Sequence, residues 1–262
     1  MVMPTRPKVR LFVESGLAAG ARVALAPAQV HYLAHVMRLG PDDRVALFNG
    51  RDGEWSARLD SVSKGQGAAV AEALRRPQRS SPDVWLAFAP LKKAATDVMV
   101  EKATELGVAR LIPMVTRRTT AARVNVARLK ANAIEAAEQC ERLTVPDIAE
   151  PVTFERLITE WPAERTMFVL DETGAGRPIA DTLAEWNQAE GRFVTPCHGF
   201  LAGPEGGFDG RELDALAKLP FAVRLGLGPR ILRAETAALA ALACWQALVG
   251  DGGDRPPART GS

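Results

Sequence analysis

The chain has 262 residues, 47% of them apolar, and a formal net charge of +2, enough to bury one or two ordinary cores and too balanced to identify a partner by charge alone. No apolar run approaches the roughly 18 residues of a membrane span, and the first eight residues lack the apolar stretch of a secretory signal, so a cytoplasmic protein that does not enter membranes is expected. Cysteines stand singly at 140, 197 and 244 with no C-x-x-C spacing, which points away from both a disulfide framework and a thiolate zinc site.

In chain order, alternation of apolar and polar residues predicts strands at 9–13, 22–25, 44–48, 54–59 and 68–72, with one helix over Ala28–Leu39 between the second and third. Asn49-Gly50 and Asp52-Gly53 supply the positive-φ residues of a hairpin. A small β-barrel domain over residues 1–76 is the expected product. This segment holds 11 Lys or Arg against 7 Asp or Glu, an excess that suits either a phosphate-bearing partner or an ordinary solvated face. His31 and His35 lie four apart on the helix, but no third ligand accompanies them and no metal site is expected. Residues 77–83, polar and interrupted by proline, read as a linker.

From residue 84 the rhythm changes. Strand Val84–Phe88 precedes a helix over Ala94–Leu106 stopped by Gly107, and strand Leu111–Val115 precedes a helix over Asn125–Arg142. Strands at Thr166–Leu170, Gly199–Ala202 and Ala222–Leu225 follow, each leading into a helical pattern, and Asp209 with Glu212 has the spacing of a capping box. Alternating strands and helices predict an α/β domain over 84–250 with a mainly parallel sheet, whose ligand would lie beyond the carboxyl ends of the strands. Residues 251–262, rich in Gly, Pro and Asp, are expected to form a disordered tail.

Two glycine-rich stretches occupy such strand ends: Leu201-Ala-Gly-Pro-Glu-Gly-Gly-Phe208 and Leu225-Gly-Leu-Gly-Pro-Arg-Ile-Leu-Arg-Ala-Glu-Thr236. Glycines let backbone amides approach a ligand closely, and each loop runs into a helix with unpaired N–H groups. Either loop alone fits turn geometry as well as ligand binding; the pair, with Arg230, Arg233 and Glu235, favours a nucleotide-like ligand. Ile231 stands where a dinucleotide fingerprint needs its third small residue, and no G-x-x-x-x-G-K-[ST] occurs, which argues against nicotinamide and triphosphate cofactors. Cys197-His198 has no acid placed to complete a nucleophilic triad.

These loops, with Lys102-Ala-Thr-Glu-Leu-Gly-Val108, Arg10-x-Phe12 and His35-x-x-Arg38, resemble the SPOUT class of RNA methyltransferases. Within that class they resemble the RsmE family, which methylates N3 of a uridine in small-subunit (16S) ribosomal RNA. The resemblance implies a PUA-like N-terminal barrel, a C-terminal α/β domain with a trefoil knot, a homodimer, and S-adenosylmethionine bound in the knot. It implies cofactor contacts from Leu170, from Gly203, Pro204, Glu205, Gly206 and Gly207, and from Leu225, Gly226 and Gly228. Further along the second loop it implies contacts from Arg230, Ile231, Leu232, Arg233, Ala234, Glu235 and Thr236. RNA contacts are implied for Arg10, Arg38, Lys102, Gln139 and Arg142, with small-subunit ribosomal RNA or the assembled small subunit as partner. Glu105, three residues after Lys102, would equally account for that lysine by an intrahelical ion pair. Glu141 stands where the family pattern has Gly, so a different local backbone is expected there, and Arg117-Arg118 replaces an acidic residue beside an arginine.

Methyl transfer from a sulfonium is an in-line displacement in which positioning supplies much of the rate. Uracil N3 carries a proton that must leave, and the resulting anion spreads onto the flanking oxygens. Arg233 and Arg230 are the candidates to stabilise it and Glu205 the candidate base, although each also suits a purely structural role in its loop. Methylation at another RNA site, a non-catalytic RNA-binding dimer, and a nucleotide-dependent oxidoreductase or hydrolase are the competing readings.

Overall fold

The computed structural model describes residues 7, 9–63, 65–120, 123–190 and 197–255, the side chains of 187–190 excepted, so residues 256–262 of the expected tail lie outside the described residues. The chain divides into two compact units, one built from residues up to Ser80 with Ala137–Val145 and the segment from Arg255, the other from Ser81–Ala136 and Pro146–Asp254.

In the first unit, strands β1 (Arg10–Phe12), β2 (Arg22–Ala24), β3 (Arg44–Phe48), β4 (Glu54–Ser63) and β5 (Gln66–Arg76) form one sheet in the order β1-β3-β4-β5-β2. Only the β1–β3 pair is parallel. Among the described residues no ladder joins β1 to β2, so the expected barrel is open on that side. Helix α1 (Pro27–His31) lies against β1 and β5. Gln29 donates to the Phe12 carbonyl at 2.8 Å and accepts from the Ala26 amide at 3.0 Å, while Val30 packs so tightly on Gly67 that a Cβ there would come within 2.8 Å of it. Inward-facing residues of every strand, among them Leu11, Val23, Val45, Leu47, Leu59 and Ala69, form the core with Val30 and Leu33.

The single helix expected over Ala28–Leu39 is corrected. After α1 the chain widens into a π-helical turn at Tyr32–Val36, with Met37 N donating to Tyr32 O at 3.0 Å, and stops at Arg38 with φ 55°. The extra residue brings Met37 and Leu39 against the core that Leu33 already fills.

The second unit is an α/β layer structure. Strands β6 (Val84–Phe88), β7 (Arg110–Val115), β8 (Asp147–Ile148), β10 (Thr166–Leu170), β11 (Arg177–Pro178), β12 (His198–Ala202) and β13 (Ala222–Gly226) run in the order β11-β13-β10-β12-β6-β7-β8, and β9 (Val152–Thr153) also pairs with β7. Every pair is parallel, as the apolar strand runs predict. Helices α4 (Phe154–Glu160) and α6 (Gly210–Leu216) cover one face through Phe154, Leu157 and Leu216. On the other, α2 (Lys93–Glu105), α5 (Ile179–Glu190) and α7 (Ala234–Leu248) pack together. Asp97 of α2 accepts from Arg128 and Asn132 of α3 (Val126–Cys140) at 2.8 and 2.9 Å.

At the centre of the second face His198 is buried among Phe168, Trp186 and Trp245, ring centroids 5.1 to 6.0 Å away. Its Nδ1 accepts from Trp245 Nε1 at 2.8 Å, which places the ring proton on Nε2. Burial, with the Arg165 charge adding, pushes its pKa down to about 4. His198 therefore serves the core and not a nucleophilic triad.

Candidate active site

Strands β13, β10 and β12 are neighbours in the sheet, and the loops leaving their carboxyl ends enclose a cavity of about 1060 Å³. Both expected glycine loops line it: Gly203, Pro204, Glu205, Gly206 and Gly207 from the first, Gly226, Gly228 and Arg230 through Glu235 from the second, with Leu170 at the end of β10. Two expected contacts stand back from it. Leu225 is buried in β13, where its carbonyl accepts from the Asp171 amide at 3.0 Å, and Thr236 lies exposed in the first turn of α7.

A third loop, Asp171–Gly176, and the start of α2 at Lys92 and Ala95 complete the lining. The loop carries only the pair Gly174-x-Gly176 and the start of α2 no glycine at all, too little to stand out beside the longer glycine-rich stretches; that spacing and the loop's position after a central parallel strand were the available signals. The loop is held by Asp171, whose carboxylate is buried and meets Arg224 of β13 at 2.9 Å, while Arg224 also donates to Thr173 at 2.8 Å. Burial alone would raise the Asp171 carboxyl, but the Thr173 amide and Arg224 outweigh it and hold it below the usual carboxylate range. Gly176 then passes so close to β13 that a Cβ would reach within 2.5 Å of the Leu225 carbonyl carbon.

The Gly203–Phe208 loop is fixed from both ends. Asp209 caps α6, accepting from Arg211 and Glu212 amides at 2.8 and 3.0 Å, and Glu212 returns the capping box by accepting from the Asp209 amide at 2.8 Å. The other oxygen of Glu212 accepts from Arg117 N at 2.9 Å, and Arg118 donates to the Gly206 carbonyl at 2.8 Å. The arginine pair at 117 and 118 thus fastens this loop. Gly207 has φ +67°, and the Glu172 carboxylate occupies the space its Cβ would need. In the second loop Gly228 has φ +93°, and Arg230, Ile231 and Arg233 are exposed at the cavity, Arg233 as the residue preceding α7.

The residues expected to contact RNA have different surroundings. Arg10, only 8% exposed, pairs with Glu54 at 2.6 Å, lies 4.2 Å over the Phe48 ring, and donates to the carbonyls of Ala137, Glu138 and Arg142 at 2.8, 3.1 and 2.9 Å. Its guanidinium closes the C-terminal end of α3, where the last carbonyls lack helical partners. Arg142 is half-buried and bonds Thr144 at 2.9 Å, and Gln139 is exposed on the last turn of α3. Arg38 is exposed after the π turn. Lys102 lies between Glu101 and Glu105 at 2.7 and 2.8 Å, hydrogen bonds that raise its pKa and hold it charged. Glu141 adopts φ 64°, a left-handed conformation that glycine takes most easily, and its carbonyl accepts from Arg76 at 2.8 Å. Among the described residues no group of three or more potential metal ligands comes together, and no helix is long and apolar enough to cross a membrane.

Comparison with known proteins agrees with this arrangement. Residues 78–246 match the model of an RNA methyltransferase domain, and residues 25–71 that of an RNA methyltransferase PUA domain. The ribosomal RNA small subunit methyltransferase E of Rickettsia conorii is 34% identical over 236 residues, covering 89% of this chain and 93% of that one. The protein of the same name from Synechocystis is 31% identical, covering 92% of this chain and 78% of that one. Among solved structures, the Neisseria gonorrhoeae ribosomal RNA small subunit methyltransferase E bound to S-adenosylmethionine superposes with a TM-score of 0.80 at 28% identity, over 93% of this chain and 98% of that one. A Legionella pneumophila structure with S-adenosylmethionine bound gives 0.82 at 28% identity, over 94% of this chain and all of the other.

Proposed function

Since the chain belongs to the ribosomal RNA small subunit methyltransferase E family, we propose that it methylates small-subunit ribosomal RNA at N3 of a uridine, using S-adenosylmethionine held among the three loops. The observation that carries this reading is the convergence of glycine-rich backbone and two exposed arginines on one cavity at adjacent strand ends.

The residues present fit the cofactor. A nucleoside bearing an amino-acid chain needs hydrogen-bonding edges along an apolar slot, and the second loop offers backbone amides and carbonyls between Gly226 and Glu235 beside Leu227, Ile231 and Leu232. A Cβ on Gly203 would come within 3.0 Å of the Phe208 ring, so the first loop lies against the core on that side and leaves its other side to a ligand. When bound, S-adenosylmethionine supplies a methyl group on a positively charged sulfur. The protein's part is to orient the base, exclude water and stabilise charge that appears on the base oxygens. Arg233 and Arg230 have the right charge and exposure for that last task. The N-terminal unit, with its PUA match and exposed Arg38 and Gln139, is read as the RNA-holding part, while Arg10 supports it by closing the end of α3. A homodimer, the trefoil crossing of the three loops and a cytoplasmic location complete the proposal.

Transfer of tritium from labelled S-adenosylmethionine to small-subunit RNA, or to assembled subunits, tests it. Arg233→Ala should lower incorporation by about 100-fold or more while the protein remains folded by circular dichroism. Normal incorporation by this variant removes Arg233 from the chemistry, and absence of transfer by the wild type refutes the function. Mass spectrometry of the modified nucleotide checks N3.

A further inference from the structure

The carboxylate that fills the space beside Gly207 belongs to Glu172. Glu172 is the second residue after β10, the middle strand of the three that carry the loops, and lines the cavity with Glu205. Glu205 is exposed on the Gly203–Gly207 turn. Glu172 is exposed as well, but its carboxylate rests against Gly207 in the space that only a missing Cβ leaves. That wall is braced, since Gly207 N donates to Pro204 O at 2.9 Å and Arg118 grips the Gly206 carbonyl from beside it.

The charged groups around Glu172 come from several elements. Asp171 precedes it but is turned away into its bond with Arg224; Arg118 reaches in after β7; Arg230, Arg233 and Lys92 line the same cavity. Burial pushes the Glu172 carboxyl up and the Asp171 charge adds to this, against its own backbone amide and Arg118. A carboxylate with a raised pKa accepts a proton better at neutral pH than an ordinary one.

Resting on the methyl-transfer reading above, we infer that Glu172 is the proton acceptor for the target base. As the ring nitrogen attacks, its N–H hydrogen passes to a Glu172 oxygen. The nitrogen electron pair forms the new N–C bond, the S–C bond breaks, and its electrons remain on sulfur, which becomes a neutral thioether. The proton then leaves Glu172 for water. Glu172 and the two arginines divide the work: the carboxylate removes the proton, and Arg230 and Arg233 balance the charge left on the base oxygens.

The test compares the full-length wild type with Glu172→Gln in binding and in transfer. Calorimetric titration should give S-adenosylmethionine affinities within about threefold of each other. Single-turnover methyl transfer to small-subunit RNA should fall by about 100-fold or more, and the rise of rate with pH through the Glu172 titration should vanish in the variant. RNA containing 5-fluorouridine, whose ring N–H is more acidic, should narrow the gap between the two proteins. Normal transfer by Glu172→Gln overturns the inference and leaves the function standing. A loss of cofactor affinity of about tenfold or more, with an unchanged pH profile, also overturns it, because Glu172 would then be a cofactor contact. Absence of transfer by the wild type overturns both.

Discussion

Replacing Gly207 by alanine probes how the walls of the cavity depend on one another. Two costs arise at this position. Alanine at φ +67° is strained by about 1 kcal/mol, and its methyl group enters the volume of the Glu172 carboxylate, forcing that side chain off its rotamer at about another 1 kcal/mol. The sum, about 2 kcal/mol, corresponds to a fall in Tm of about 6 °C for a unit of this size. If the displaced carboxylate and loop also narrow the cavity, S-adenosylmethionine binding should weaken by about tenfold or more. Calorimetry for both quantities, on Gly207→Ala and on Gly207→Ala combined with Glu172→Ala, separates the contributions. The second change should recover the collision and leave the backbone strain, so about half of the lost stability should return. Equal stability and affinity of Gly207→Ala and wild type would refute the account, as would a double variant no more stable than Gly207→Ala.

Other outcomes follow from residues outside the cavity. The folded state keeps His198 neutral down to about pH 4, whereas in the unfolded chain it takes up a proton near its ordinary 6.5. Acidification through this window therefore favours unfolding, and wild type should lose about 2.5 kcal/mol more than His198→Asn between pH 7.5 and 4.5 in urea titrations; parallel losses would remove His198 as the cause. Glu141→Gly should stabilise the protein by about 1 kcal/mol, since glycine takes φ 64° without strain, and a Tm unchanged or lowered contradicts the strain.

Much of the fold was legible because its signals are local. The apolar runs of β6, β10 and β12 report strands buried on both faces, and Asp209 with Glu212 builds the capping box that their spacing announces. The two-residue strands β8, β9 and β11 are too short for periodicity to register, and the π turn differs from an α-helix by a single residue. Long-range pairing was out of reach for the same reason. Arg10 looks like any surface arginine beside a strand, and only the arrival of Ala137–Arg142 some 130 residues later consumes its guanidinium. In the site, long glycine-rich runs marked two of the three loops, while the third has only Gly174 and Gly176. Glu172 escaped because its significance lies in what touches it, the bare face of Gly207, and no motif encodes a contact between residues so far apart in sequence.

Strands β10, β12 and β13 are adjacent in the sheet but separated along the chain by helices α5 and α6, so no continuous segment of the protein contains the cavity. A peptide carrying either glycine loop would bind nothing, and a partly folded chain would be equally blind until all three strands were seated. Ligand occupancy is thereby tied to the integrity of the whole α/β unit. At a ligand concentration a hundredfold above Kd, binding adds about 2.7 kcal/mol to the stability of everything that must assemble before it can occur, so a cell rich in the ligand would hold this protein measurably firmer than a starved one.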